Sequence, residues 1–486
     1  MKKPFYLTTT LPYVNASPHV GFALEMVQAD CLVRYWALQG VDVFFNTGTD
    51  EHGQKLFEAA QKADMEVQKY VDQYAEQFRS LKEKLNLSAN LHFIRTTDPH
   101  HVVAAQEMWK RCLKNGDIEK RVYKGLYCVG DEAFIKESEL VDGKCPNHPT
   151  MDLIELEEEN YFFLLSKYQK KLLEYLSQPG VVVPEWRRKE AINFVESGLE
   201  DFSISRVKEK MSWGIPVPDD DMQVMYVWFD ALTNYISTLD WPNEEGNFKK
   251  YWVDGVTYQM AGKDQVRFQS IMWQGMLMSA GIPTTQHILY HGFITSGGQK
   301  MSKSIGNVID PIAVAEEYGI DALRFFLLRH IHPTEDSDFT IERFKEAYNA
   351  DLANGLGNLV ARVMQLAQTH LTVDLVKEIP STLQSSILRA TVYTDYISSL
   401  NNYEFDRALI SIWSYIQELD QKITETAPFK VVKTDLEAGQ RMIHDLVQGL
   451  YMIADMIGPV MPTTSELIKQ AVVSNTKPIN MFARKE

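Results

Sequence analysis

Two lysines three positions apart, Lys300 and Lys303, lie in the stretch Gly297-Gly298-Gln299-Lys300-Met301-Ser302-Lys303-Ser304-Ile305-Gly306-Asn307. Ammonium groups are compact point charges that pair well with phosphate. Flanking glycines let a backbone approach and move, and the hydroxyl of Ser302 and the loop amides add neutral donors. The chemistry this suits is a mobile clamp on a polyphosphate, although most Lys-x-x-Lys segments are solvated surface loops. Far upstream, Pro18-His19-Val20-Gly21-Phe22 stands where helical periodicity begins, which puts an imidazole at the positive, amide-rich end of a helix that suits phosphate. Alone, His19 reads as a helix-terminal histidine with a local hydrogen bond. A third set is Cys128, Asp131, Cys145 and His148, in two short knuckles each carrying a thiol. Sulfur, imidazole and carboxylate can close a tetrahedral zinc site; a metal-free knuckle held by packing is the alternative.

The elements that must position these groups read as an α/β protein followed by an all-α region. A short strand at 5–9, a turn-rich loop at 11–18, helical periodicity from His19 to Gly40 and a strand at 41–45 form one strand, helix, strand unit of a parallel sheet. The loop after it reads Thr47-Gly48-Thr49-Asp50-Glu51-His52-Gly53, where nucleotide ligands bind in such sheets. A second alternating unit appears further on. Residues 225–230 are strand-like, 258–262 read as a strand, 264–281 as a helix and 287–294 as another strand. Between the two halves, 116–222 reads as an insertion carrying the knuckles and an acidic run at 155–159. Beyond 349 the apolar residues space by three and four, as in Leu352, Leu356, Leu359, Val363 and Leu366, in 405–423 and in 443–457, which predicts a helical bundle. The expected domains are therefore 1–115 and 223–294 (two halves of one sheet domain), 116–222 (insertion), 295–348 (lysine loop and the helical segment after it) and 349–486 (bundle).

Composition narrows the class. At 486 residues, 45% hydrophobic and 23% charged, the chain has the make-up of an ordinary multi-domain globular protein. No apolar run approaches the roughly 18 residues of a membrane span, and the N-terminus reads as a first strand, not a leader, so the expected location is the cytoplasm. Four cysteines in so long a chain make no disulfide framework. A net charge of −16 disfavours nonspecific affinity for polyanions, so any RNA must be met by local patches.

Lys-Met-Ser-Lys-Ser matches the second signature of class I aminoacyl-tRNA synthetases, and Pro-His-Val-Gly-Phe is an altered form of the first. With Leu-Pro-Tyr-Val-Asn near the start, Thr-Gly-Thr-Asp-Glu-His-Gly at 47, Trp-Gly-Ile-Pro-Val-Pro at 213, Tyr-Val-Trp-Phe-Asp-Ala at 226, Gly-Lys-Asp at 262 and His-Gly-Phe at 291, the whole chain resembles the methionyl-tRNA synthetases of the shorter bacterial type. The resemblance implies a split Rossmann catalytic domain, an inserted connective domain, a stem-contact segment and a helical anticodon-binding bundle. It implies that ATP and L-methionine form methionyl-adenylate and that the methionyl group passes to the terminal ribose of tRNA(Met). It assigns His19, Lys300, Lys303 and Ser302 to the triphosphate, Gly21 to the adenine, Phe22 to the ATP site, and Gly262 and Asp264 to the ribose. Leu11, Tyr13, Trp228, Tyr235 and His291 match the family's methionine pocket, Asp50 its ammonium anchor, and Asn358, Arg362 and Phe429 its anticodon contacts. Mg2+ is expected with ATP, either Zn2+ or metal-free packing at the knuckles, and, with no further tRNA-binding domain, a monomer.

The chain departs from the pattern at two places. Pro428-Phe429 stands where the family presents Pro-Trp, which keeps a stacking ring but loses the indole donor. Phe22 replaces the second histidine of the first signature and cannot donate to a phosphate oxygen. Losing one preorganised donor costs on the order of 3 kcal/mol, so either a neighbour such as Asn15 compensates or adenylation is slow. Two other readings stand beside the main one: a class I synthetase for a different apolar amino acid, and a catalytically weak paralogue that binds tRNA or adenylate.

Overall fold

The structure is a computed structural model that describes residues 2–130, 133–135, 139–301, 306–377, 379 and 391–486. It divides into two compact units. The first comprises Met1–Pro18, Gly40–Lys82 and Ala89–Tyr290, the second His19–Gln39, Glu83–Ser88 and His291–Glu486.

At the centre of the first unit is a six-stranded sheet in the order Leu91–Arg95, Val43–Thr49, Phe5–Thr9, Val256–Gly262, His287–His291, Val182–Val183. Phe5–Thr9 runs parallel to both of its neighbours. The chain builds outward from it in one direction and then, after the insertion, in the other. Strand order therefore reverses between Phe5–Thr9 and Val256–Gly262, and the carboxyl ends of those strands flank the crevice where such sheets bind ligands. Both central strands are buried along almost their whole length. The second strand continues through Thr49, past the 41–45 expected from its apolar run. Its polar residues stay in the sheet because they pair across it: Asn46 Nδ2 donates to Thr8 Oγ1 at 2.9 Å and Thr9 Oγ1 to Thr47 Oγ1 at 2.8 Å. The edge strand Val182–Val183 comes from inside the stretch read as an insertion.

The same stretch carries an antiparallel sheet of four strands, Ala133–Ile135, Ile118–Cys128, Ile154–Phe163 and Phe202–Ser203. The acidic run is one strand of it. Glu155, Glu157 and Glu159 face solvent while Glu158 and Asn160 are buried, the period of two that a strand requires. Lysines answer the carboxylates, Lys124 to Glu155 at 3.1 Å and Lys210 to Glu158 at 2.5 Å.

Residues 225–230 differ from the strand expected there. Met225 ends the strand Asp220–Met225, Tyr226 is the cap and Val227–Leu232 is a short helix. Aromatic, β-favouring residues suggested a strand, but Val227, Phe229, Asp230 and Ala231 are all buried, and two-sided burial in so short a segment suits either structure. The helix read over 264–281 is also broken into a turn at Lys263–Gln265, a wide turn at Phe268–Met272 and the α-helix Trp273–Ala280, closed by Gly281 at φ +70°.

The second unit is mainly helical. The expected stripes are its core: Leu352, Leu356, Leu359 and Val363, then Phe405 to Ile423 on Phe405–Thr426, then Ile443 to Ile457 on Leu436–Ile457. A knot of charge sits within it. Arg324, wholly buried on Ile320–Arg329, meets Asp30 of the helix Val20–Leu38 at 2.7 Å. It also donates to the carbonyls of Val460 (2.8 Å), Pro459 (3.0 Å) and Leu85 (3.2 Å). Asp30 in turn accepts from the Ser88 amide at 2.6 Å and from Arg34 Nε at 2.7 Å. A buried guanidinium is tolerated only when its donors are all placed in this way. Among the described residues no helix is long and apolar enough to cross a membrane.

Candidate active site

In the first unit, three loops leave the carboxyl ends of the central strands. The loop after Phe5–Thr9 carries buried Leu11 and partly buried Tyr13. The loop after Val43–Thr49 carries Asp50, buried, whose amide donates to the Pro12 carbonyl at 3.0 Å so that Tyr13 and Asp50 pair as a parallel bridge. Beside it, Glu51 is fully committed. Arg95 holds its two oxygens at 2.7 and 2.8 Å, and Thr49 and Thr97 each donate to it at 2.6 Å. Of two adjacent carboxylates, one thus fastens the loop and Asp50 is the one set beside Tyr13. Trp228 meets Tyr13 edge-on, with centroids 6.3 Å apart, and stacks on Phe268 at 3.8 Å. Tyr235 is buried, its hydroxyl accepting from Gln269 Nε2 at 2.9 Å and its ring set edge-on to Trp273. Gly262 ends its strand buried, and Asp264 follows in an exposed turn. The structure thus brings Tyr13, Asp50 and Trp228 together, with Gly262 and Asp264 at the end of the adjoining strand.

Sequence reasoning missed Phe268, which reads as one apolar position on a helix, and it missed the partners of Asp230. That carboxylate, wholly buried, accepts from His52 Nδ1 at 2.7 Å and His101 Nε2 at 2.8 Å. Histidines 49 residues apart in the chain carry no local signal of a shared partner.

The second unit holds the first signature segment beside the start of the lysine segment, Lys300 and Met301. His19 caps the helix Val20–Leu38, its Nδ1 accepting from the Gly21 amide at 3.0 Å. An amide can only donate, so Nδ1 is the acceptor and the ring's proton sits on Nε2, leaving that nitrogen as a donor. Although one edge reaches solvent, desolvation holds the imidazole's pKa below its ordinary value, which favours this neutral form. A Cβ on Gly21 would stand 2.9 Å from His19 Cε1 and 3.9 Å from Met301 Cε, so the glycine makes room for the capping ring beside the lysine loop. Phe22 follows, partly buried in the first turn.

The lysine segment begins as a hairpin of Ile294–Ser296 and Gln299–Lys300. Gly297 and Gly298 turn it at φ +63° and +73°, a two-residue turn for which glycine is favoured. Asp338 holds its base, accepting from the Gly298 amide at 2.9 Å and Thr295 Oγ1 at 2.8 Å. Lys300 is exposed at its end, and beyond the loop the Ile309 carbonyl accepts from the Val20 amide at 3.1 Å. The helix capped by His19 and the exit of the lysine loop are therefore bonded together. Ser302 and Lys303 lie outside the described residues. His291 sets Nε2 2.9 Å from a Glu25 carboxylate oxygen and Nδ1 2.8 Å from the Gly292 carbonyl.

At the knuckle, Cys128 and Cys145 are buried, and their sulfurs and a His148 nitrogen all lie within 4.8 Å of one another. Cys128 Sγ is 3.9 Å from His148 Nδ1. A Cβ on Gly130 would meet the His148 ring at 2.4 Å, so this glycine lets the imidazole lie against the knuckle. The donor set fits zinc in kind and spacing; Asp131 lies outside the described residues. In the bundle, Asn358 and Arg362 start the helix Asn358–His370, Asn358 exposed and Arg362 paired with Asp420. Phe429 is exposed on the short helix Pro428–Val431.

Known proteins agree with this arrangement. The family described as "tRNA synthetases class I (M)" matches residues 5–153 and 149–364. The methionine–tRNA ligase of Thermotoga maritima is 39% identical over 483 residues, covering 98% of this chain and 76% of its own length. That of Rickettsia bellii is 39% identical over 489 residues, covering 98% and 94%. The Mycobacterium tuberculosis methionyl-tRNA synthetase in complex with methionyl-adenylate superposes with a TM-score of 0.87 at 35% identity, covering 100% of this chain and 99% of its own. Its free form gives 0.82 at 33% identity. Full-length similarity of this order, with the helix capped by His19 bonded to the exit of the lysine loop in one unit and a sheet that presents Tyr13 and Asp50 beside its switch point, shows that the chain belongs to the methionyl-tRNA synthetase family of class I aminoacyl-tRNA synthetases.

Proposed function

We infer that the two steps of a methionine–tRNA ligase are carried in this chain by the residues the family pattern marks. As a ligase of this family the protein joins methionine to ATP, releasing pyrophosphate, and passes the methionyl group from the adenylate to the 3′-terminal ribose of tRNA. The first step needs no general base, because the attacking carboxylate is already ionised. It needs positioning and neutralisation of charge on the phosphate oxygens. His19, through its Nε2 proton, and Lys300 serve the triphosphate, with Lys303 and Ser302 completing the clamp. Gly21 borders the adenine, Phe22 lies in the ATP site, and Gly262 and Asp264 take the ribose. Magnesium enters as the counter-ion of ATP.

The methionine set is Leu11, Tyr13, Asp50, Trp228 and Tyr235, together with His291. A thioether gains from aromatic contact, and a buried carboxylate suits the ammonium. The observation that carries this reading is the Tyr13–Asp50 bridge with Trp228 edge-on to Tyr13, at the mouth of the switch point. The test is amino-acid-dependent ATP–pyrophosphate exchange. Asp50→Asn removes the charge facing the ammonium, and losing one partner of a desolvated charge pair costs about 2–5 kcal/mol. Methionine kcat/KM should fall about 100-fold while the KM for ATP stays within about threefold. An unchanged methionine KM would remove Asp50 from the site.

Asn358, Arg362 and Phe429 are assigned to the anticodon of tRNA(Met), with Phe429 as a stacking platform for an unstacked base. The protein acts as a cytoplasmic monomer, with sheet halves at 1–115 and 223–294, a connective insertion at 116–222, a stem-contact segment at 295–348 and the anticodon bundle at 349–486. Cys128, Cys145 and His148 would hold the zinc, with Asp131 proposed as a fourth ligand, and the metal would staple the two knuckles together. Purified chain should contain about one zinc per molecule, and Cys145→Ser should lower that content at least severalfold without loss of the parallel-sheet core. Metal analysis finding no zinc in chain purified without chelator would leave the packed, metal-free knuckle.

A further inference from the structure

The methionine assignments above leave unexplained a set of wholly buried polar groups directly behind them. Asp230 is 0% exposed, and its two oxygens take one imidazole each, Oδ2 from His52 Nδ1 at 2.7 Å and Oδ1 from His101 Nε2 at 2.8 Å. His101, also 0% exposed, comes from the helix Pro99–Lys114, and its other nitrogen meets Ser237 Oγ at 2.8 Å. The network continues into the sheet. Asn234, three residues before Ser237, accepts from Asn46 Nδ2 at 3.2 Å, and Asn46 also donates to Thr8. Burial alone would raise the Asp230 pKa, but the charge and hydrogen bonds of His52 and His101 more than offset it and hold the carboxyl below its ordinary value.

What this carboxylate joins is specific. His52 lies two residues after Asp50, on the loop that Glu51 fastens to Arg95, and Asp230 lies two residues after Trp228, on the same short helix. The His52–Asp230 bond is thus a cross-strut between the segment that anchors the substrate ammonium and the segment that bears the aromatic wall for its side chain. His101 and Ser237 brace the strut from behind.

We propose that Asp230 is a positioning residue that fixes the spacing between Asp50 and Trp228 and so gauges the length of the amino acid the site accepts. The inference rests on the methionine-site reading above. It touches no reacting atom, so its loss acts on binding and selectivity more than on the chemical step. An asparagine offers one acceptor oxygen in place of two, so one imidazole loses its partner and the strut slackens without a change of size.

The test is ATP–pyrophosphate exchange on the full chain with methionine and with ethionine, which is longer by one methylene. Asp230→Asn should raise the methionine KM about tenfold with kcat within about threefold, and should lower the methionine-over-ethionine ratio of kcat/KM at least about fivefold, a methylene's discrimination being worth about 10–200-fold. His52→Gln, at the less deeply buried end of the strut, retains an N–H for the carboxylate and should move both readouts the same way by less; it decides the matter if Asp230→Asn does not fold. Trp228→Ala is run beside them. If it leaves the methionine KM unchanged, the pocket reading falls and the gauge with it. If it raises KM while the folded strut variants leave KM and the ethionine ratio within twofold, the gauge alone is wrong. A loss of kcat at unchanged KM would also overturn it.

Discussion

Arg324→Met lowers the stability of the helical unit by about 3–5 kcal/mol, the usual cost of removing one partner from a buried ion pair. The magnitude comes from the groups that the guanidinium holds. Asp30 is left at zero exposure with one of its two cations gone, and the carbonyls of Leu85, Pro459 and Val460 lose a buried donor. Methionine fills much of the volume, so the cost is electrostatic and not a cavity. Arg34 still reaches Asp30, which places the expectation nearer the lower end. Urea unfolding of the full chain measures it as a shift in the transition that carries the helical signal. Arg324→Met combined with Asp30→Asn should cost less than the sum of the two single changes, because the second removes the charge that the first strands. A loss below about 1 kcal/mol would mean that water reaches the knot and solvates it.

His19→Ala should lower the single-turnover rate of adenylate formation by about 100- to 1,000-fold, with the methionine KM nearly unchanged, since a donor that acts on the transition state contributes to rate and not to amino-acid binding. The tautomer set by the Gly21 amide makes the prediction sharper. The donor is the neutral ring, and its pKa is lowered by desolvation, so the rate should be flat above pH 7. It should fall only in acid, where protonation of Nδ1 displaces the Gly21 amide from its acceptor. A rate that rises as the histidine protonates would assign the work to an imidazolium and refute the capped geometry. Phe22→His restores a second donor on the same turn and is expected to raise the rate about tenfold. An unchanged rate would show that another group, such as Asn15, already stands in for it.

Much of this was legible in the chain. The lysine spacing, the helix beginning at His19 and the apolar stripes of the bundle all report local chemistry, and local chemistry is what a sequence displays. The aromatic and carboxylate members of the site were legible only through the family's motifs, because Trp228 and Tyr235 look like ordinary core. What could not be read was pairing at long range. Asn46 and Thr47 remain in a strand because Thr8 and Thr9 await them, Val227–Leu232 winds into a helix whose Asp230 meets two distant histidines, and Glu51 is committed by Arg95. Each case turns on a polar side chain whose partner is fixed by the fold, not by its neighbours in the chain.

The knot at Arg324 has a bearing on the order in which the protein is made. Asp30 lies early in the sequence and Pro459 and Val460 more than four hundred positions after it, so Arg324 joins segments that are translated far apart in time. Contacts closed over so much chain form late. The helix that His19 caps is therefore made long before its partners at Arg324, Pro459 and Val460, and Asp30 stays hydrated until they arrive.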